Sequence, residues 1–381
     1  MKLFLSTQFW AFTLCFGVVV ALSSCKKEDD PTGLDVPSTY EFTRDGSSTV
    51  SYSGQTERLN MLTLLSNYMK ESNTVGATAL DAQKMKDMFA NENDPFNGAT
   101  FGKKLKDKCY QNDVAMFEAF MDDLATASTA TGTASNGVAG VLVDGNTSST
   151  TEGYRVNANG VELTQVIEKG LMGAVFFFQA MEEYLGEDRM GTGGNDDLAE
   201  GKNYTNMEHY FDEAFGYFGV PIDFPNAATI DDARFWGKYC NSRNGGLYEG
   251  INDEIATAFR TARAAIVAKD YQARDEAIQT IQQKWAIIIA STAVDYLRKG
   301  KSGEPNYKRH HALSEAIGFL MSLDYHFNGG NSVNPPHYSQ THVGHAQSML
   351  HAGTNLYTLS DADIDEIIGH IQMAFPSGEI K

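Results

Sequence analysis

Residues 161–186 read VELTQVIEKGLMGAVFFFQAMEEYLG. Wound as a helix, Leu171, Val175, Phe176, Phe177, Phe178, Met181 and Leu185 leave almost no polar side. A helix that is apolar nearly all round belongs at the centre of a helical bundle. The segment 278–299 has the same character, through Trp285, Ile287, Ile288, Ile289, Val294 and Leu297. Neither segment is long and uncharged enough to span a bilayer. Amphipathic stretches surround them. Leu59, Leu62, Leu65 and Tyr68 fall at helical spacing, as do Met116, Phe117, Phe120, Met121 and Leu124 within 104–127. Ile251, Ile255, Phe259, Ala262 and Ile266 do the same within 250–268. Proline is absent from residue 96 to 220 and from 226 to 304, which favours long helices. The pattern predicts an all-α, two-lobed helical bundle. Before it, Tyr40, Phe42, Val50 and Tyr52 alternate around Asp45-Gly46, which predicts a small N-terminal β-hairpin.

Length and composition fit this picture. The chain has 381 residues, 42% of them hydrophobic, which is ample for a core. Its net charge is −19, which argues against a nucleic-acid partner, because phosphate binding needs a basic surface. Four cysteines make no disulfide scaffold. Cys109 and Cys240 either pair with each other or stay as two buried thiols. Three polar stretches read as loops: 129–153, with a short hairpin at Val141-Leu142-Val143, then 187–203, then 328–358.

The first 24 residues carry Lys2, an apolar run and small residues, which is a secretory leader. The run ends in Leu22-Ser23-Ser24-Cys25, which resembles the bacterial lipobox, and that resemblance implies lipidation at Cys25. An acyl anchor tethers a protein without a spanning helix. Lys26-Lys27-Glu28-Asp29-Asp30 resembles the surface-export signal of Bacteroidota lipoproteins and implies an outward-facing protein on the outer membrane. The expected organisation is a signal peptide (1–24), an acidic tether (25–38) and a helical domain (39–381) with halves near 55–225 and 226–381.

The halves rest on a repeat. HYFDEAFGYF (209–218) and HALSEAIGFL (311–320) both fit His-x-x-x-Glu-Ala-x-Gly-aromatic-apolar, the mark of an internal duplication. Histidine, glutamate and glycine at i, i+4 and i+7 share a helix face, and a mid-helix glycine suits a place where another backbone comes close. The candidate site residues are therefore His209, Asp212, Glu213, His311 and Glu315. They could fix helix register, ligate a metal between them, or line a cleft for an organic ligand or partner peptide. His342 and His345, spaced His-x-x-His in the third loop, are weaker metal candidates. No zincin, nucleophile-elbow or phosphate-loop motif is present.

HYFDEAFGYFGVP (209–221), YEFTRDGSSTVSYSGQTERLNML (40–62) and NGVELTQVIEKGLMGA (159–174) resemble an uncharacterised family of Bacteroidota lipoproteins. A more distant resemblance is to the imelysin-like proteins, which are secreted, all-helical and linked to iron or haem uptake. Their Gly-x-His-x-x-Glu hallmark meets Met207, His209 and Asp212 here, so only the histidine and a carboxylate match. The resemblance implies a non-enzymatic outer-surface binding lipoprotein, accessory to iron or haem acquisition. Its cofactor would be a divalent metal or haem, and its partner an outer-membrane transporter. Two other functions fit the sequence. One is a metal-dependent hydrolase on the repeated His/Glu face. The other is a glycan-capture lipoprotein, which needs an exposed aromatic platform.

Overall fold

The computed structural model describes residues 33–143, 151–301 and 306–381. The segment expected to be a leader, Cys25 and most of the expected tether lie outside the described residues. The first element is the hairpin predicted around Asp45-Gly46. Strands β1 (Thr43–Arg44) and β2 (Ser47–Ser48) pair antiparallel. Both turn residues have positive φ, 52° and 76°, the demand that a two-residue hairpin turn places on an Asp-Gly pair.

Helices make up most of the rest. They are α1 (Ser53–Lys70), α2 (Ala82–Ala90) and α3 (Val114–Ser128), then α4 (Leu163–Leu171), α5 (Glu187–Met190) and α6 (Asn206–Phe218). There follow α7 (Trp236–Arg243), α8 (Ile251–Ala268), α9 (Tyr271–Lys299), α10 (Asn306–Ser322), α11 (Gln340–Met349) and α12 (Asp361–Ala374). The helix expected over 104–127 starts only at Val114, after two short 3₁₀ turns at Lys106–Lys108 and Gln111–Asp113 with Cys109 extended between them. A second antiparallel hairpin joins β3 (Gly140–Val143) to β4 (Gly153–Val156), at the position read for Val141-Leu142-Val143. None of the described helices is long and apolar enough to cross a membrane.

The central segment 161–186 is helical and buried, but not uniformly α. After α4 it widens into π-helical register over Met172–Phe177 and Gln179–Tyr184. That register frees backbone carbonyls for partners outside the helix. Met172 accepts from Trp236 Nε1 at 3.0 Å, and Ala174 accepts from the Tyr110 amide at 2.8 Å. The second central segment is α9, which packs against α8, α10 and α7. Trp285 stands at its middle, fully buried, 4.8 Å from the Phe218 ring and 5.7 Å from Phe177.

Leu34–Lys381 is one compact unit. The halves near 55–225 and 226–381 do not close separate cores. A single buried apolar cluster runs through both, because α4 of the first half packs on α10 of the second. Cys109 and Cys240 are buried free thiols, so the disulfide alternative does not hold. The loop expected over 328–358 contains α11, which buries Val343 and Ala346 one turn apart.

Candidate functional site

Helix α10 carries His311, Glu315 and Gly318 along one face, as the spacing predicts. Gly318 sets how closely α10 lies against α4. A Cβ there would stand 2.4 Å from Lys169 Cβ and 3.1 Å from the Gly170 amide nitrogen. This approach brings the buried Glu162, just before α4, onto the imidazole. His311 Nδ1 lies 2.6 Å from Glu162 Oε2, and Nε2 lies 3.1 Å from Glu315 Oε1. Tyr154 of β4 stacks on the ring at 4.1 Å. Burial opposes charge on this imidazole, but the hydrogen bonds and charges of Glu162 and Glu315 overcome it and push the pKa up to about 9. His311 is thus an imidazolium at neutral pH, and both nitrogens donate to carboxylates.

The network continues inward. Glu315 accepts a hydrogen bond from the Tyr239 hydroxyl at 3.3 Å. Lys169, buried on α4, ion-pairs with Glu168, which also accepts from Ser66 and from Lys70 Nζ at 3.0 Å. Burial works against the Glu168 charge, yet Lys169 and Lys70 hold its carboxyl down to about 2. These groups border two adjoining cavities, of about 420 and 530 Å³, which share Glu168, Lys169, Lys238, Tyr239 and Ser242. In the larger one, Arg234 gives its guanidinium hydrogens to neutral oxygens, Asn60 Oδ1 at 2.7 Å and Thr63 Oγ1 at 2.8 Å. Lys238 stands one turn further along α7, exposed. Among the described residues, neither Arg234 nor Lys238 has an ion-pair partner. Together the two cavities are lined by more cationic groups than carboxylates, in a protein of net charge −19.

The first copy of the repeat builds a related joint elsewhere. Gly216 lets α6 lie on α1, where a Cβ would stand 2.7 Å from Tyr52 Cβ and 3.0 Å from Gln55 Cβ. His209 Nδ1 is 3.1 Å from the Ser51 carbonyl, and its Nε2 is 4.0 Å from Glu213. Glu213 accepts from Gln55 Nε2 at 2.9 Å. The two histidines share no partner among the described residues. Each face docks on its own helix, so His209, Glu213, His311 and Glu315 do not assemble around one ion. Asp212 points away from both. It is fully buried, bonded to Arg263 Nε at 2.9 Å, to the Tyr40 hydroxyl at 2.9 Å and to the Ser51 amide at 3.1 Å. Arg263 also reaches Glu208, which Arg44 of the hairpin grips at 2.9 Å. Asp212 therefore ties the N-terminal hairpin to α6 and α8 and offers solvent nothing.

His342 and His345 sit on α11, not in a loop, and α12 brings His370 to them. The sequence reading missed His370, and it also missed Glu162, Lys169, Arg234, Lys238 and Tyr239. One signal was available for Lys169. The Glu168-Lys169 pair is a charged interruption in an otherwise apolar central helix, and charges buried there must be paired. The others are positioned by tertiary packing and leave no local pattern.

No curated protein and no solved structure matches the chain. A family model described as Domain of unknown function (DUF4856) matches residues 37–376, so the whole helical domain belongs to that family.

Proposed function

We propose that this protein is a lipid-anchored, non-enzymatic binding protein of the outer cell surface whose cleft takes a small anionic solute. The observation that carries this reading is the pair of cations without an ion-pair partner among the described residues, Arg234 and Lys238, in a cavity of about 530 Å³ where Glu168 is already paired and Asp231 is the one further carboxylate of the lining, on an otherwise acidic molecule. A local cationic pocket concentrates anions that the net charge of the surface repels. The adjoining ion network supplies rigidity, since its members are buried and mutually paired. A hydrolase or metal centre at His311 and Glu315 fits less well, because both imidazole nitrogens are already engaged by carboxylates, Nδ1 by Glu162 and Nε2 by Glu315. The glycan reading needs an exposed aromatic platform, and among the described residues no aromatic side chain is exposed. Lys26-Lys27-Glu28-Asp29-Asp30 behind Cys25 supports the surface address, and an outer-membrane transporter is the natural recipient of a captured solute.

Thermal-shift measurements on the full chain test the reading. The panel holds small carboxylates, phosphate esters and haem, whose propionates are carboxylates, against neutral sugars. An anionic member should raise the midpoint and the neutral sugars should leave it alone; a response only to neutral compounds would reject the proposal. Metabolic labelling with a fatty-acid analogue, abolished by Cys25→Ala, tests the anchor.

A further inference from the structure

His342 and His345 lie one turn apart on α11, and His370 reaches them from α12. The three rings face one another, with centroids 6.1, 5.9 and 5.1 Å apart. Each offers a nitrogen such that the three lie within 4.8 Å of one another. The Nδ1 atoms of His342 and His370 are buried and have no hydrogen-bond partner. A buried polar atom is rarely left unsatisfied without a reason, and a role in holding an ion is one such reason. The grouped ligands are imidazoles alone, with no cysteine or carboxylate among them. The surface beside them is open. A side chain at Gly344 or Gly369, the residues preceding His345 and His370, would meet nothing within 4 Å.

We propose that His342, His345 and His370 form a binding site for a divalent transition-metal ion of the zinc class, holding α11 to α12. Three imidazoles suit zinc, copper or nickel, and do not suit magnesium or calcium, which take oxygen ligands. Zinc–nitrogen bonds of about 2.0–2.1 Å at tetrahedral angles put the ligand nitrogens roughly 3.4 Å apart, so binding draws the rings together by on the order of 1 Å. The open surface leaves a fourth position for water or a solute ligand. This site shares no residue with the cationic cavities and stands independently of the function proposed for them.

Equilibrium dialysis of the full chain, first stripped with chelator, against zinc chloride reads the stoichiometry. One zinc per chain is expected, with the loss of at least tenfold in affinity in His342→Ala/His370→Ala. His345→Ala repeats the test at an exposed ring that folding does not need, and should show the same direction of change. His351→Ala, outside the cluster, should bind as the parent does, and so should Arg234→Ala/Lys238→Ala. Cobalt(II) in place of zinc should give the intense visible bands of a four-coordinate ion. Zinc binding that survives both cluster variants, or cobalt that stays in its pale six-coordinate form, would overturn the proposal.

Discussion

His311 keeps its charge because Glu162 and Glu315 hold its two nitrogens, and this makes stability depend on pH in a definite direction. The folded pKa, about 9, lies above the unfolded value of about 6.5. The stabilisation is therefore complete below the unfolded value and is lost as pH rises from there through 9. The parent chain should lose on the order of 2–3 kcal/mol between pH 6 and 10 relative to His311→Gln, read from denaturant midpoints at each pH. A pH-independent difference between the two would dismiss the imidazolium. Arg263 makes a second residue-scale case. Its replacement by Met leaves Asp212 buried without its cation, and removing one partner of such a pair costs about 3–5 kcal/mol. Urea unfolding of Arg263→Met should show a loss of that size and an earlier release of the N-terminal hairpin.

At the level of elements, the glycines at 216 and 318 decide how two helices dock. Alanine normally gains about 1 kcal/mol over glycine within a helix. Here the new methyl would meet the α1 side-chain roots or the α4 backbone, and overpacking costs about 1–3 kcal/mol. Gly318→Ala and Gly216→Ala should lower the melting temperature, whereas Gly369→Ala, which meets nothing within 4 Å, should raise it slightly. The glycine spacing made this docking legible before any coordinates, because a tolerated mid-helix glycine needs a close neighbour. The same reasoning could not tell which helix was the neighbour. It left open whether the two repeats face each other, and each meets a different partner, α1 and α4. Helix α11 was invisible for another reason. It buries only Val343 and Ala346, and its remaining positions are polar, so periodicity carried no signal. The hydrogen bonds that Tyr110 and Trp236 give to carbonyls of the π-helical stretch likewise come from residues distant in sequence.

On the scale of the whole molecule, charge is distributed against its own average. The total is strongly negative, and yet the paired cavities gather Lys169, Arg234, Lys238 and an imidazolium. Composition exposed the average and hid the exception, because Arg234 and Lys238 look like ordinary surface residues until the fold sets them in one cavity with Thr63 of α1 and Glu168 and Lys169 of α4. A central helix carrying Glu168-Lys169 was the only local hint that the core housed a polar network. Binding at this place should weaken with salt, since charge attraction brings the solute in. The most direct test is titration calorimetry of the anionic solute that shifts the melting midpoint most, on the full chain and on Arg234→Ala/Lys238→Ala. The account predicts at least a tenfold loss of affinity in the double variant, with the fold intact by circular dichroism. Equal affinity in the two proteins would contradict it.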